Sequence, residues 1–292
     1  VKRLSWLFAL FILVIFAAPA AAETDGFKVY LGYVFSGAEM KTNWDEAWAD
    51  KVNQSAGTNK QTGVSHGVGV DLRYQGSGNL PLWGRVTFEY GWITGGNDAY
   101  DCYDNFNLYR WAGKPGVRGD AWQVEGDLGY RVFALPFSGG AFDITPYAGF
   151  GYRERKIEYR NGSGEKHKLQ APFAAFGALF SYNSPAWGVG LDAAFIMPVG
   201  SDFSYTLPGV RYLYRSDIGY GVRVQLPVTV SVVRQKAGRA GVSLFATPFY
   251  EYTDYGRSDP LRMHDDAYGA YAAYAGTKEG RYGVRAGIGL SF

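Results

Sequence analysis

In residues 219–232, GYGVRVQLPVTVSV, every even position is apolar, from Tyr220, Val222 and Val224 through Val232, while Arg223, Gln225, Thr229 and Ser231 take odd positions. The same period of two recurs along the chain. Trp122, Val124, Leu128, Tyr130 and Val132 alternate with Gln123, Glu125, Asp127 and Arg131. Val86, Phe88, Tyr90 and Trp92 alternate with Arg85, Thr87 and Glu89, and Val68, Val70, Leu72 and Tyr74 with Gly69, Asp71 and Arg73. The last stretch, GRYGVRAGIGLSF, places Tyr282 to Phe292 on one face and Arg281 and Arg285 on the other. Successive residues of a β-strand point to opposite sides, so strict alternation predicts strands with one apolar face. Ten are predicted, over roughly 26–36, 64–75, 82–94, 120–133, 143–158, 170–182, 187–196, 218–233, 241–254 and 279–292. The sixth, APFAAFGALFSY, is apolar on both faces, and DDAYGAYAAYAG reads as an outer extension of the last.

The connections fall into two alternating kinds. GSGNLP, NSPA and KAGRA are short and turn-rich, with ALPFSGGAFD somewhat longer; polar connections span 37–63, 95–119, 159–169, 197–217 and 255–278. Short turns on one side and long loops on the other, with an even strand count, predict an all-β, transmembrane, antiparallel up-and-down barrel of a bacterial outer membrane. Ten strands fit the pattern, with eight and twelve as the neighbouring even counts. A spanning sheet must close on itself, because lipid offers no partner to a free backbone edge. A soluble β-sandwich is the rival, and would bury the apolar faces and expose the arginines. Tyr and Trp near strand ends, as in interfacial girdles, and the strand length favour the barrel. Phe292, closing an alternating strand, resembles the signal that the barrel-assembly machinery reads at the end of such chains.

The N-terminus agrees with export. Lys2 and Arg3 precede the 13-residue apolar run LSWLFALFILVIF, and Ala20-Ala21-Ala22 offers a small-residue cleavage site before Glu23. A spanning helix needs about 20 apolar residues, so residues 1–22 read as a cleaved signal peptide and 23–292 as one barrel domain. The 29 Lys and Arg against 27 Asp and Glu give +2, and loss of Lys2 and Arg3 leaves zero, with no pull toward nucleic acid. One cysteine, Cys102, excludes an internal disulfide framework. Forty Gly, 23 Tyr, 19 Phe and 8 Trp suit short alternating strands better than a helical enzyme.

With the apolar faces on lipid, the lumen receives Lys28, Arg73, Arg85, Arg131, Arg153, Arg155, Arg223, Arg281 and Arg285, and Asp71, Glu89, Glu125, Asp127, Asp192 and Glu251. Eight strands leave an interior that side chains fill, and 16–18 leave a channel, so ten lie near the filled end. Buried charges persist when paired. These residues therefore read as an ion-pair network in a plugged or narrow lumen, and the loops, which interleave Tyr, Trp and Phe with Asp and Arg, carry the function. The expected protein is a monomeric surface barrel without enzymatic activity, cofactor or metal, serving structure, adhesion or small-solute passage. Its expected partners are outer-membrane lipid and lipopolysaccharide.

Ten strands with five long outer loops are similar to the omptin family of outer-membrane proteases. That resemblance implies a water activated between an aspartate pair and an Asp–His pair in the outer loops. The second loop, GGNDAYDCYD, offers Asp98, Asp101 and Asp104, although the first two are three residues apart rather than at the family's spacing. The fourth loop has Asp202 but no histidine; His264, beside Asp265 and Asp266 in the fifth, is the substitute. His66 falls on the lipid-facing register and His167 on the loop tip GEKHK. An omptin-like endopeptidase using Asp98, Asp101, His264 and Asp266 is the alternative function. No nucleotide loop, zinc-ligand spacing or Ser-His-Asp arrangement is present.

Overall fold

The computed structural model describes residues 26–48, 54–76, 81–104, 107–113, 117–137, 139–159, 166–207, 210–235, 240–258, 261–265 and 269–292. Residues 1–22 lie outside them. Sixteen strands follow in order: β1 (Gly26–Trp48), β2 (Gln54–Gln75), β3 (Leu82–Asp104), β4 (Asn107–Gly113), β5 (Val117–Tyr130), β6 (Phe133–Phe137), β7 (Gly140–Tyr159), β8 (Lys166–Asn183), β9 (Trp187–Pro198), β10 (Asp202–Leu207), β11 (Val210–Arg215), β12 (Tyr220–Gln225), β13 (Val228–Val233), β14 (Gly241–Arg257), β15 (Leu261–Asp265) and β16 (Gly269–Ser291). All pair antiparallel in one sheet. β1 pairs with β2 on one side, Lys28 opposite Arg73, and with β16 on the other, Lys28 opposite Ser291. The sheet is thereby a closed barrel of ten staves: β1, β2, β3, β5, β7, β8, β9, β12 with β13, β14 and β16. The short strands β4, β10, β11 and β15 continue staves at the end with the long connections, and β6 continues one at the other end.

The two faces of the wall are inverted relative to a water-soluble protein. On β5, Leu128 is 78% exposed while the adjacent Asp127 is 2% exposed. Phe150, Phe176, Val222, Val228 and Leu244 are likewise outside, and Arg85, Glu125, Asp192, Arg223 and Glu251 are buried inside. A soluble sandwich has no means of stabilising that arrangement; lipid around the wall does. Outward aromatic rings meet toward the strand ends. Trp122 packs on Tyr152 with centroids 5.2 Å apart, and Tyr182 packs on Trp187 at 5.0 Å.

Three features differ from the sequence expectation. The long connections are mostly strand: β1 and β3 each run 23 residues, about twice what a tilted strand needs to cross a bilayer, while β16, also of 23, takes in most of the extension DDAYGAYAAYAG expected of it. Above the lipid neither face has to be apolar, so the alternation fades while backbone pairing continues. The strand expected over 218–233 is split at Pro227, which lacks an N–H. Register with β14 nonetheless continues across Pro227, Gln225 opposite Phe249 and Val228 opposite Ala246, and shifts only between Ser231 and Val233; the Pro227 carbonyl accepts from Gly190 at 2.8 Å. The two-faced sixth strand, β8, turns Phe173, Ala175 and Leu179 into the lumen, where they pack with Trp83, Tyr147, Ala194 and Ile196. Part of the interior is thus an apolar core. At the outer end of β14, Gly256 has φ 79°, a left-handed conformation matched to the irregularity between Asp254 and Arg257.

Candidate functional site

Charged side chains cross the lumen between opposite walls. Arg85 on β3 donates to Asp127 on β5 at 2.8 Å and to Asp192 on β9 at 2.5 Å. Asp192 also accepts from the Tyr147 hydroxyl at 2.5 Å. The Arg85 guanidinium lies 5.2 Å from the Trp83 ring centre and 5.1 Å from that of Tyr147. Arg223 on β12 holds both oxygens of Glu125, four staves away. Arg153 on β7 bridges to Glu251 on β14, and Arg155 reaches Glu279 on β16 at 2.7 Å. Tyr255 donates to the other oxygen of Glu279 at 2.7 Å. Arg281 donates to Gln123 at 2.9 Å and stands 3.5 Å from Glu89, which also pairs with Arg285; Arg285 donates to Gln225 at 3.2 Å.

Toward the inner end, Arg73 pairs with Asp71 at 2.7 Å on its own strand, and Arg131 lies 3.8 Å from Asp143. Two acidic partners, Glu279 and Asp143, were missing from the sequence-based set. Glu279 sits at the outermost point assigned to the last strand, where an unbroken odd register would have placed it inside. Asp143 is likewise the first residue of its predicted strand. The tyrosines and glutamines that complete the network carry no charge signal in a sequence.

The space left between these side chains is small. A cavity of about 40 Å³ lies beside Glu89, Gln123, Arg153 and Arg281, and one of about 20 Å³ beside Arg73, Thr87 and Arg285. Each has room for one or a few water molecules and is too small for a solute. A roomier vestibule of about 290 Å³ opens at the inner end, lined by Lys28, Asn183, Thr229 and Ser231.

The candidate catalytic residues lie on the outer part of the barrel. Asp98 is opposite Gln61 and Asp101 opposite Thr58, so their register positions are on opposite faces of β3. His264 is opposite Ala270 on the β15–β16 hairpin, four staves from β3; Asp266 lies outside the described residues. His167 belongs to β8, on the register of the lumen-facing Leu169, and not to a loop tip. A strand continuing outward, as noted above, accounts for that difference. His66 is on the outer wall, accepting from or donating to the Tyr33 hydroxyl at 2.9 Å and stacked on its ring. Among the described residues, no group of three or more His, Cys, Asp or Glu forms a metal-binding cluster.

The outer wall carries two polar zones beyond the aromatic band. On β5, β7 and β8, Glu154 receives Lys156 at 2.7 Å and Lys168 at 3.1 Å, and Glu158 receives Lys166 at 3.0 Å and Arg118 at 3.1 Å. Hydrogen bonds from Lys166 and Arg118 hold the exposed Glu158 carboxyl below its ordinary value. On the opposite side, Lys60 pairs with Glu39 at 3.0 Å and Lys278 with Asp254 at 3.4 Å.

Among solved structures, the chain is similar to the outer membrane protease OmpT of Escherichia coli, with 12% identity and a TM-score of 0.55 over 91% of this chain and 97% of that one. It also matches the transport unit of the autotransporter AIDA-I of Escherichia coli, with 13% identity and a TM-score of 0.37 over 88% and 90%. At such identity the first likeness speaks to fold alone. No curated protein matches the sequence. A family model described as the outer membrane protein beta-barrel domain matches residues 7–224, and the chain, a closed barrel with lipid outside and charges within, belongs to that family.

Proposed function

We propose that this outer-membrane barrel is a non-enzymatic surface protein whose lumen is a closed, internally braced strut and whose outer strands and loops do the work, in structure or adhesion. The observation that carries this reading is the set of ion pairs joining opposite walls: Arg85 with Asp192, Arg223 with Glu125, Arg153 with Glu251 and Arg155 with Glu279. A solute would have to break these pairs, each buried and each costly to separate in a low-dielectric interior. The protein is a monomer exported on the signal peptide of residues 1–22, and its outer polar zones contact the phosphates of lipopolysaccharide. Lysines and arginines outnumber carboxylates there, which suits an anionic leaflet.

Planar-bilayer recording tests the closed lumen. The reconstituted barrel should give no unitary conductance, and steady channels in the unmodified protein would overturn the reading. The alternative, an omptin-like endopeptidase, draws support from the likeness of fold and from Asp98 on the lumen-side register. Incubation with a dibasic peptide in the presence of lipopolysaccharide separates the two. Cleavage that disappears in Asp98→Asn or His264→Ala would favour the protease.

A further inference from the structure

The vestibule of about 290 Å³ at the inner end is bounded by β1, the β8–β9 turn, β13, β14 and the end of β16. Two cations line it, Lys28 and Arg234. Lys28 stands directly opposite Arg73, and the inner-end carboxylates are already taken, Asp71 by Arg73 at 2.7 Å and Asp143 by Arg131 at 3.8 Å. The Lys28 ammonium has no ion pair or hydrogen bond among the described residues. Arg234 reaches the vestibule by way of a bulge. Ser231 is opposite Ser243 but Val233 is opposite Val242, so Val232 is an extra residue on β13. The bulge reverses the alternation, leaving Val232 and Val233 both exposed on the outer wall and turning Arg234 inward. An unbroken strand would have aimed Arg234 at lipid. It too has no ion pair among the described residues.

The rest of the polar wall can both donate and accept. The hydroxyls of Thr229, Ser231 and Ser291 have no side-chain partner among the described residues, and Asn183, whose nitrogen donates to Ser181 at 3.2 Å, adds an amide oxygen. No carboxylate is among the described lining residues, and the turns GSGNLP, NSPA and KAGRA at this end contain none. A cleft of one charge sign concentrates ions of the other. Deeper in stands Tyr30, with the Arg73 guanidinium 4.6 Å from its ring centre, and beyond it the space narrows to the cavity of about 20 Å³. The vestibule is a dead end that holds a ligand without passing it. Its volume is at the lower edge of small-molecule sites, about 300–1,000 Å³, which suits a single sugar unit rather than a polymer.

We propose that the vestibule is a binding site for a small anionic sugar derivative, a sugar acid or a sugar phosphate, whose anionic group lies between Lys28 and Arg234 and whose hydroxyls meet Thr229, Ser231, Ser291 and Asn183. The inference goes beyond the preceding reading and owes to it only that the short-turn end faces the periplasm.

Isothermal titration of the refolded barrel in lipid nanodiscs tests this, with glucuronate, glucose 6-phosphate, glucose, acetate and inorganic phosphate as probes. At least one of the two anionic sugars should bind the wild type, and the one that binds tighter identifies the anionic group as carboxylate or phosphate. Glucose and the two free anions each lack half of the contacts and should bind at least about tenfold more weakly. Lys28→Gln and Arg234→Gln should each weaken the anionic sugar about tenfold, through loss of a charge-assisted hydrogen bond, and Thr229→Val/Ser231→Ala should weaken it severalfold. Arg234 is exposed at the mouth, so Arg234→Gln should keep the heat-modifiable folded band whether or not Lys28→Gln does. No binding of either anionic sugar would overturn the proposal. So would glucose or a free anion binding as tightly as the sugar derivative, or full affinity in Arg234→Gln. None of these outcomes touches the closed lumen, which conductance reads.

Discussion

Replacement of Arg223 by Met should be among the most damaging single changes in the barrel. Arg223 and Glu125 are each 2% exposed and form a two-point bridge across the lumen. Removing the guanidinium strands a buried carboxylate, and the next inward residue on β5 is Asp127, another carboxylate. Only Arg85 remains close, and it already serves Asp127 and Asp192. Breaking a buried pair from one side costs about 3–5 kcal/mol, whereas replacing both partners by apolar groups of similar size is close to neutral. The expected loss for Arg223→Met is therefore about 4 kcal/mol. Glu125→Leu alone should cost less, because Arg223 keeps Asp192 as a neighbouring charge. The double variant Arg223→Met/Glu125→Leu should recover most of the loss. Guanidinium unfolding of the four proteins in the same lipid, followed by tryptophan fluorescence, gives the cycle. A single-variant loss below about 1 kcal/mol, or a double variant no better than Arg223→Met, would refute the claim that pairing holds this charge in the lumen.

Phe176 is exposed near the middle of the outer face of β8, so Phe176→Arg should cost about 2–4 kcal/mol in a bilayer; a loss under about 0.5 kcal/mol, normal for an exposed site in water, would contradict the lipid-facing assignment. A Cβ on Gly287 would come 2.0 Å from the Leu31 carbonyl oxygen, so Gly287→Val should block closure of β16 on β1 and abolish the heat-modifiable folded band on electrophoresis. Glu158 is held below the ordinary value of 4.5 by Lys166 and Arg118, so its stabilising contribution is present above that value and lost as pH falls through the lower folded value. Its carboxyl resonance should titrate below 4.5 in the wild type and return toward it in Lys166→Gln/Arg118→Gln; being exposed, it should move stability little.

The period of two in segments such as 219–232 determined by itself that the chain makes strands with one apolar face, and that arginines such as Arg85, Arg223 and Arg281 stand on the other. These follow from local geometry, since neighbouring residues of a strand point to opposite sides. The family match and the closed sheet agree with that reading. The outward continuation of β1 and β3 escaped the sequence, because beyond the lipid nothing forces one face to be apolar and a paired strand there looks like a loop; that of β16 showed in the alternation of DDAYGAYAAYAG. The double apolar character of β8 was visible, but its meaning depended on what stood opposite: Trp83, Tyr147 and Ile196 from three other strands. Tertiary structure alone decided which charge meets which. Arg85 reaches Asp192 107 residues away, and Arg281 reaches Glu89 at a separation of 192. A strand specifies its own faces, but its partners across a lumen or along a wall are set by closure and register, which belong to the whole sheet.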